Sequence, residues 1–246
     1  MGLLHGLPGP QAQPGVAARR RQAVGGLAGL VAALAYSSFL LAGPLGSTLN
    51  PMNSYVSELG APTQPASRFF RDTDMVAGGL IVVLAVALRD NLPRDWRRGA
   101  GTTALGLAGL SSIFDGWNPI GCTPSVDLAC QVREDAMGLL GQLQEPHTVS
   151  SVTGVVAAIA SMAALGHLLA SVRGHRRLGR CGQAAALVAT GLSLAELPLT
   201  TADPGVGFLE RAFVLCVSTW IAALALLLLH DLVGLPQAWW RARASG

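Results

Sequence analysis

Residues 146–172 read PHTVSSVTGVVAAIASMAALGHLLASV and contain no Asp, Glu, Lys or Arg. A helix needs roughly 20 mainly apolar residues to cross about 30 Å of hydrocarbon, so this stretch predicts a membrane-spanning helix. Similar stretches lie on either side of it. Residues 24–46 are uncharged, and 209–233 carry charge only near their ends, at Glu210, Arg211 and Asp231. Three shorter apolar runs, 73–88, 99–117 and 181–201, complete a set of six. The rest of the composition agrees. Charged residues make up 13% of the 246-residue chain, about half the usual share, and mean hydropathy is +0.46. A soluble enzyme, a disordered chain and a basic nucleic-acid binder are all poor fits. The expected fold is an all-α integral membrane bundle of six transmembrane helices.

All 17 basic residues are arginine, and their placement predicts the orientation. With six spans, the N-terminus, the 89–98 and 173–180 connections and the C-terminus share one side. Thirteen of the 17 arginines fall there. Arginine collects in cytoplasmic loops, so both termini are expected to be cytoplasmic, in a bacterial plasma membrane. Asp90, Asp95 and Asp231 are on that side, and the other eleven acids are on the opposite side. Residues 1–22 read as a disordered cytoplasmic tail, 23–234 as the membrane domain and 235–246 as a short cytoplasmic tail. The basic start and apolar core at 19–46 resemble a signal peptide, but the core is too long and has no small-x-small closure. It is expected to be a retained first helix. Trp239 and Trp240 beside Arg241 suit an interfacial belt.

Two outer segments are long. The first contains NPMNSYVSELGAPTQPASRFFRDTD, with a turn of helix expected around 54–59 that would put Ser54 and Glu58 on one face. The second, 118–145, is expected as a loop. Its Cys122 and Cys130 predict a disulfide, which an oxidising compartment permits. Two cysteines with no nearby histidine make an incomplete zinc set, and no metal or cofactor is predicted. Cys181 and Cys216 read as packed, inert thiols.

The order of NPMNSYVSELGAP, SRFFRDTD, a span ending SIFDGWNPIGC, a histidine opening the next span and GVGFLERA before the last resembles the bacterial multi-pass family called domain of unknown function 998. The resemblance covers about residues 24–232. It implies a six-span integral membrane protein and carries no assigned reaction.

Ionisable residues within spans are costly and often functional. On the outer half these are Asp115, His147, Glu196, Glu210 and Arg211, all near helix ends. Together with Ser54 and Glu58 they form the candidate binding set. The favoured reading is an outward-facing polar pocket for a lipid or small amphiphile, with aromatic residues such as Tyr55 and Trp117 at its rim. One alternative is a membrane-embedded hydrolase in which Asp115, His147 and Ser151 act as acid, base and nucleophile, although no G-x-S-x-G elbow is present. The other is a structural or assembly subunit in which Arg211 neutralises a neighbouring carboxylate and His147 bonds a loop carbonyl. Membrane lipids are the expected partners. Nucleic acid is not, and no P-loop, dinucleotide fingerprint or His-Glu-x-x-His motif occurs.

Overall fold

A computed structural model describes residues 15–197, 199 and 203–233, apart from the side chain of Leu139. Trp239, Trp240, Pro198 and most of the N-terminal tail lie outside the described residues. The described chain is helical, with no strand. Its helices are α1 (Val16–Tyr36), α2 (Ser67–Asn91), α3 (Trp96–Trp117), α4 (Leu128–Gln142), α5 (Pro146–Ser171), α6 (Arg176–Glu196) and α7 (Val206–Val233). Short 3-10 turns occupy Ser38–Leu41 and Ser57–Gly60.

The six long helices form a closed ring, α1–α2–α3–α5–α6–α7 and back to α1. Each neighbouring pair runs antiparallel. Gly25 and Gly29 of α1 face Ala87 and Leu84 of α2, and Gly101 of α3 faces Leu165 of α5. The connections therefore alternate between the two ends. Residues 37–66, 118–145 and the described residues 197, 199 and 203–205 are at one end, here the loop end. The short links 92–95 and 172–175 are at the other. Leu84, Leu88, Met162, Leu165, Leu169, Ile221, Leu224 and Leu228 fill the centre and are fully buried.

Glycine sets the spacing of α2 and α3. A Cβ at Gly109 would lie 2.6 Å from the Gly78 carbonyl oxygen, and one at Gly116 would lie 2.6 Å from that of Arg71. Backbone-to-backbone contact of this kind tolerates no side chain. It draws Asp74 of α2 and Asp115 of α3 toward one another at the loop end.

The outward faces of the ring are apolar. Leu34, Val86, Leu110, Val156, Leu187 and Leu226 are all more than half exposed. By length and composition, two helices are able to cross a membrane: Pro146–Ser171, with hydropathy 1.9, and Val206–Leu232, with hydropathy 2.5.

Helix boundaries depart from the apolar runs most at α1, at α6 and at α2, which runs Ser67–Asn91 where the expected span is 73–88. α1 opens at Val16, because Arg19, Arg20 and Arg21 are good helix formers that extend a helix beyond its apolar part. It ends at Tyr36, and 37–46 become 3-10 and turn structure closing at Gly46 with φ +82. α6 is displaced in the same direction, starting at Arg176 and ending at Glu196. α4 is a helix inside a segment expected as a loop. Asp127 caps it, its Oδ1 accepting from Ala129 N at 3.0 Å and Cys130 N at 3.2 Å. Gly138, at φ +61, breaks its regular geometry. Cys181 also differs from expectation: it is exposed on α6 rather than packed.

Candidate functional site

The loop end brings the candidate residues into two groups. The first is a cap built from 50–66, 118–127 and the start of α7. Glu58 is completely buried. Its Oε1 accepts from Tyr55 N at 2.9 Å, and its Oε2 from Ser125 Oγ at 2.6 Å and Ser125 N at 3.2 Å. Ser125 Oγ is also 2.8 Å from Ser54 Oγ, so Ser54 and Glu58 meet through a third residue. Glu210 Oε2 accepts from Val56 N. Arg211 Nη1 donates to the carbonyls of Ser54 at 2.6 Å and of Pro51 and Gly207 at 2.9 Å. Its guanidinium stands 6.0 Å from the Phe39 ring centroid. Arg211 thus bonds carbonyls directly and, among the described residues, makes no close ion pair, while Glu210 and Glu58 stay within its electrostatic reach. The carbonyl of Met52 accepts from the amides of Gly205, Gly207 and Phe208, fastening that loop to the first turn of α7.

Cys122 and Cys130 are joined in a disulfide, and Ser125 lies within the loop it closes. Thr123, also in that loop, bonds Thr63 at 2.8 Å and Gln64 at 3.3 Å. The disulfide thus braces the part of the chain that holds Glu58. Glu134 brings a carboxylate oxygen within 4.8 Å of both sulfurs, but the sulfurs are bonded to each other and offer no thiolate to a metal.

Burial pushes the Glu58 carboxyl above its ordinary range, and the hydrogen bonds from Ser125 and Tyr55 oppose it. Burial likewise raises the Tyr55 phenol, reinforced by Glu210 and Glu196. Glu196, at the end of α6, has Oε1 enclosed without a hydrogen-bond partner among the described residues.

The second group lies between α3 and α5. Asp115 Oδ1 accepts from Ser150 Oγ and from Ser151 Oγ at 3.1 Å, and His147 Nδ1 is 3.4 Å away. His147 Nδ1 is also 3.1 Å from the carbonyl oxygen of Asn118. A carbonyl only accepts, so Nδ1 carries a proton, and in the uncharged form of the ring Nε2 is then an acceptor. The expected bond from His147 to a loop carbonyl is thus present. Ser151 donates to the acid rather than to the imidazole, which is not the relay that nucleophilic catalysis requires.

Pro146 at the first helical position explains why α5 starts where it does. Helical spacing then sets His147, Ser150 and Ser151 on one face toward Asp115. Ser150 was missed in the sequence, although it shares the spacing that singles out Ser151. Asp74 and Tyr36 were missed as well. Tyr36 is within electrostatic reach of Asp74, Asp115 and Glu210, and Asp74 within reach of Asp115.

Beside the second group an open groove of about 410 Å³ runs between α3 and α5, lined by residues that include Leu107, Leu110, Phe114, Val149 and Ser150. Its almost wholly apolar wall ends at Pro146 and Ser150, where the polar group begins.

The family profile described as "Protein of unknown function (DUF998)" matches residues 29–227. The chain belongs to the DUF998 family. The match runs from within α1 to within α7 and covers both polar groups. No curated protein and no solved structure matches the chain, so the chemistry of this DUF998 protein has to be read from its own residues.

Proposed function

We propose that this DUF998 protein is a six-span protein of the bacterial plasma membrane that binds a lipid or small amphiphile at the Asp115–His147 group. Both termini are cytoplasmic, and the loop end faces outward. The observation that carries the binding reading is the adjacency of the α3–α5 groove to that group, with Ser150 common to both. An apolar trough meeting a few polar groups suits a molecule with a tail and a head, and 410 Å³ lies in the range of about 300–1,000 Å³ common for small-ligand sites. The membrane setting is supported by the exposed apolar faces of the ring. In water such faces would be an aggregation hazard. Arginine asymmetry supports the orientation.

Native mass spectrometry of gently purified protein tests the binding site. A defined lipid retained by wild type and lost from Asp115→Asn/His147→Ala is the expected result. Identical, nonspecific lipid in both, with a large loss of stability in the variant, would leave a structural network only. Orientation has its own test. After reduction, a membrane-impermeant thiol reagent should label Cys122 or Cys130 in intact cells, and labelling only after lysis would reverse the topology.

A further inference from the structure

Resting on the reading of the α3–α5 groove as a lipid site, we infer that its occupant is a membrane lipid with an ammonium headgroup bound by Asp115. Three observations agree on the sign and hydrogen-bonding character of the head. Asp115 Oδ1 already takes the Ser150 and Ser151 hydroxyls and faces His147 Nδ1, whereas no described residue donates to Oδ2. The Asp115 side chain keeps 24% of its surface exposed. His147 Nδ1 directs its proton to the Asn118 carbonyl, and in that tautomer of the uncharged ring Nε2 is a second unused acceptor. The site therefore offers acceptors and asks for a donor.

The surrounding charge favours a cation. Asp115 sits in the last turn of α3, where the helix dipole is already negative. Asp74 is within electrostatic reach behind it. Among the described residues the basic partner of Asp115 is His147, whose Nδ1 lies 3.4 Å from Oδ1 and which carries charge only when protonated; no Arg forms an ion pair with Asp74 or Asp115. Arg71, one turn from Asp74, gives its Nε to the Gly116 carbonyl at 2.9 Å. An ammonium brings three N–H donors and a positive charge to this point. The tail lies along Leu107, Leu110, Phe114, Val149 and Thr153. From Leu107 to Phe114 is about two turns of α3, or roughly 10 Å of tail contact along the helix axis.

Three lysophospholipids of one acyl length test the inference, with ethanolamine, choline and glycerol headgroups. All carry the same tail and phosphate. The first supplies positive charge and N–H donors, the second positive charge alone and the third hydroxyl donors without positive charge. Competition for the purified protein in a neutral detergent, read by native mass spectrometry, should rank them in that order. Ethanolamine should exceed glycerol by about tenfold or more, as a charge-assisted hydrogen bond implies. Asp115→Asn should bring the three to near parity while unfolding at close to the wild-type temperature. Leu110→Trp, which fills the groove, should weaken all three alike. If the three bind wild type equally but Leu110→Trp weakens them all, the lipid site stands and the ammonium assignment falls. A headgroup preference that survives in Asp115→Asn would also overturn that assignment. If Leu110→Trp weakens none, the lipid reading itself falls.

Discussion

The cap and the Asp115 group lie at the same end of one bundle and draw on similar residues, yet they are finished differently. In the cap both Glu58 oxygens are bonded internally, Glu210 holds a backbone amide and Arg211 spans three carbonyls. In the other group Asp115 is saturated on one oxygen and open on the second, next to an apolar groove. Buried polar groups matched from within hold a structure together. Acceptors left over beside a groove are available to something else. The two regions should therefore respond oppositely to substitution: the cap in stability, the Asp115 group in binding.

The largest effect is expected at Arg211. Arg211→Leu removes the donor to the Pro51, Ser54 and Gly207 carbonyls, and the partly buried Ser54 and Gly207 acceptors keep their desolvation cost. A loss of about 3 kcal/mol or more is expected, read as thermal unfolding in detergent, with headgroup preference at Asp115 kept in the folded fraction. An unchanged melting temperature would show that the cap holds nothing, and the contrast between the regions would fail.

Cys122→Ser/Cys130→Ser comes next. Opening so short a loop should cost about 2–3 kcal/mol in the chain-entropy picture. Since Ser125 hangs from that loop, hydrogen exchange at the Tyr55 amide, whose acceptor is Glu58, should speed up with it. Faster exchange around His147 instead would mean that the disulfide braces the wrong region for this account.

Glu58→Gln sharpens the cap through pH. Burial raises the Glu58 carboxyl above its ordinary value of 4.5. Its contribution to stability is thus fully present below 4.5 and declines as pH rises through the folded value. Wild type should lose ground to the variant over that window, by about 1.4 kcal/mol for each pH unit separating the two values. A stability difference that stays flat from acid to neutral pH would refute the assignment.

How much of this could be read from the chain depends on which physical signal each part carries. α5 is legible to within one residue, because Pro146 starts it and charge-free sequence continues it. α1 is less so. Hydropathy reports which residues avoid water, while helix formation also recruits Arg19, Arg20 and Arg21 at one end and releases 37–46 at the other. α4 is nearly silent, since LACQVREDAMGLLGQ has neither a long apolar run nor a clean stripe. In the candidate set, His147 and Asp115 were visible as ionisable groups at span ends. Their meeting depends on α3 packing against α5, where Gly101 faces Leu165 and Gly154 faces Ser111, and on a ring order that no local pattern encodes. Ser125 carries no sequence signal for its role: it reaches Glu58 only because the 118–127 loop folds over the 57–66 segment.

The smallest stability effect is expected at Asp115, and that is what separates the two regions. Asp115→Asn keeps the side chain's shape and an acceptor oxygen. Ser150 and Ser151 can still donate to it, so packing against α5 is retained. The charge it removes sits at the negative end of α3, with Asp74 within electrostatic reach. Losing that charge relieves repulsion as well as weakening the bonds to the two serines. These opposing terms should leave stability within about 1 kcal/mol of wild type. Thermal unfolding of ligand-free protein, beside Arg211→Leu under the same conditions, provides the check. A loss at Asp115 as large as that at Arg211 would show that both oxygens are structurally committed, and the Asp115 group would become a second cap. A neutral or slightly stabilising result is the behaviour of a site whose carboxylate, met on one oxygen by Ser150, Ser151 and His147, keeps the other for a ligand.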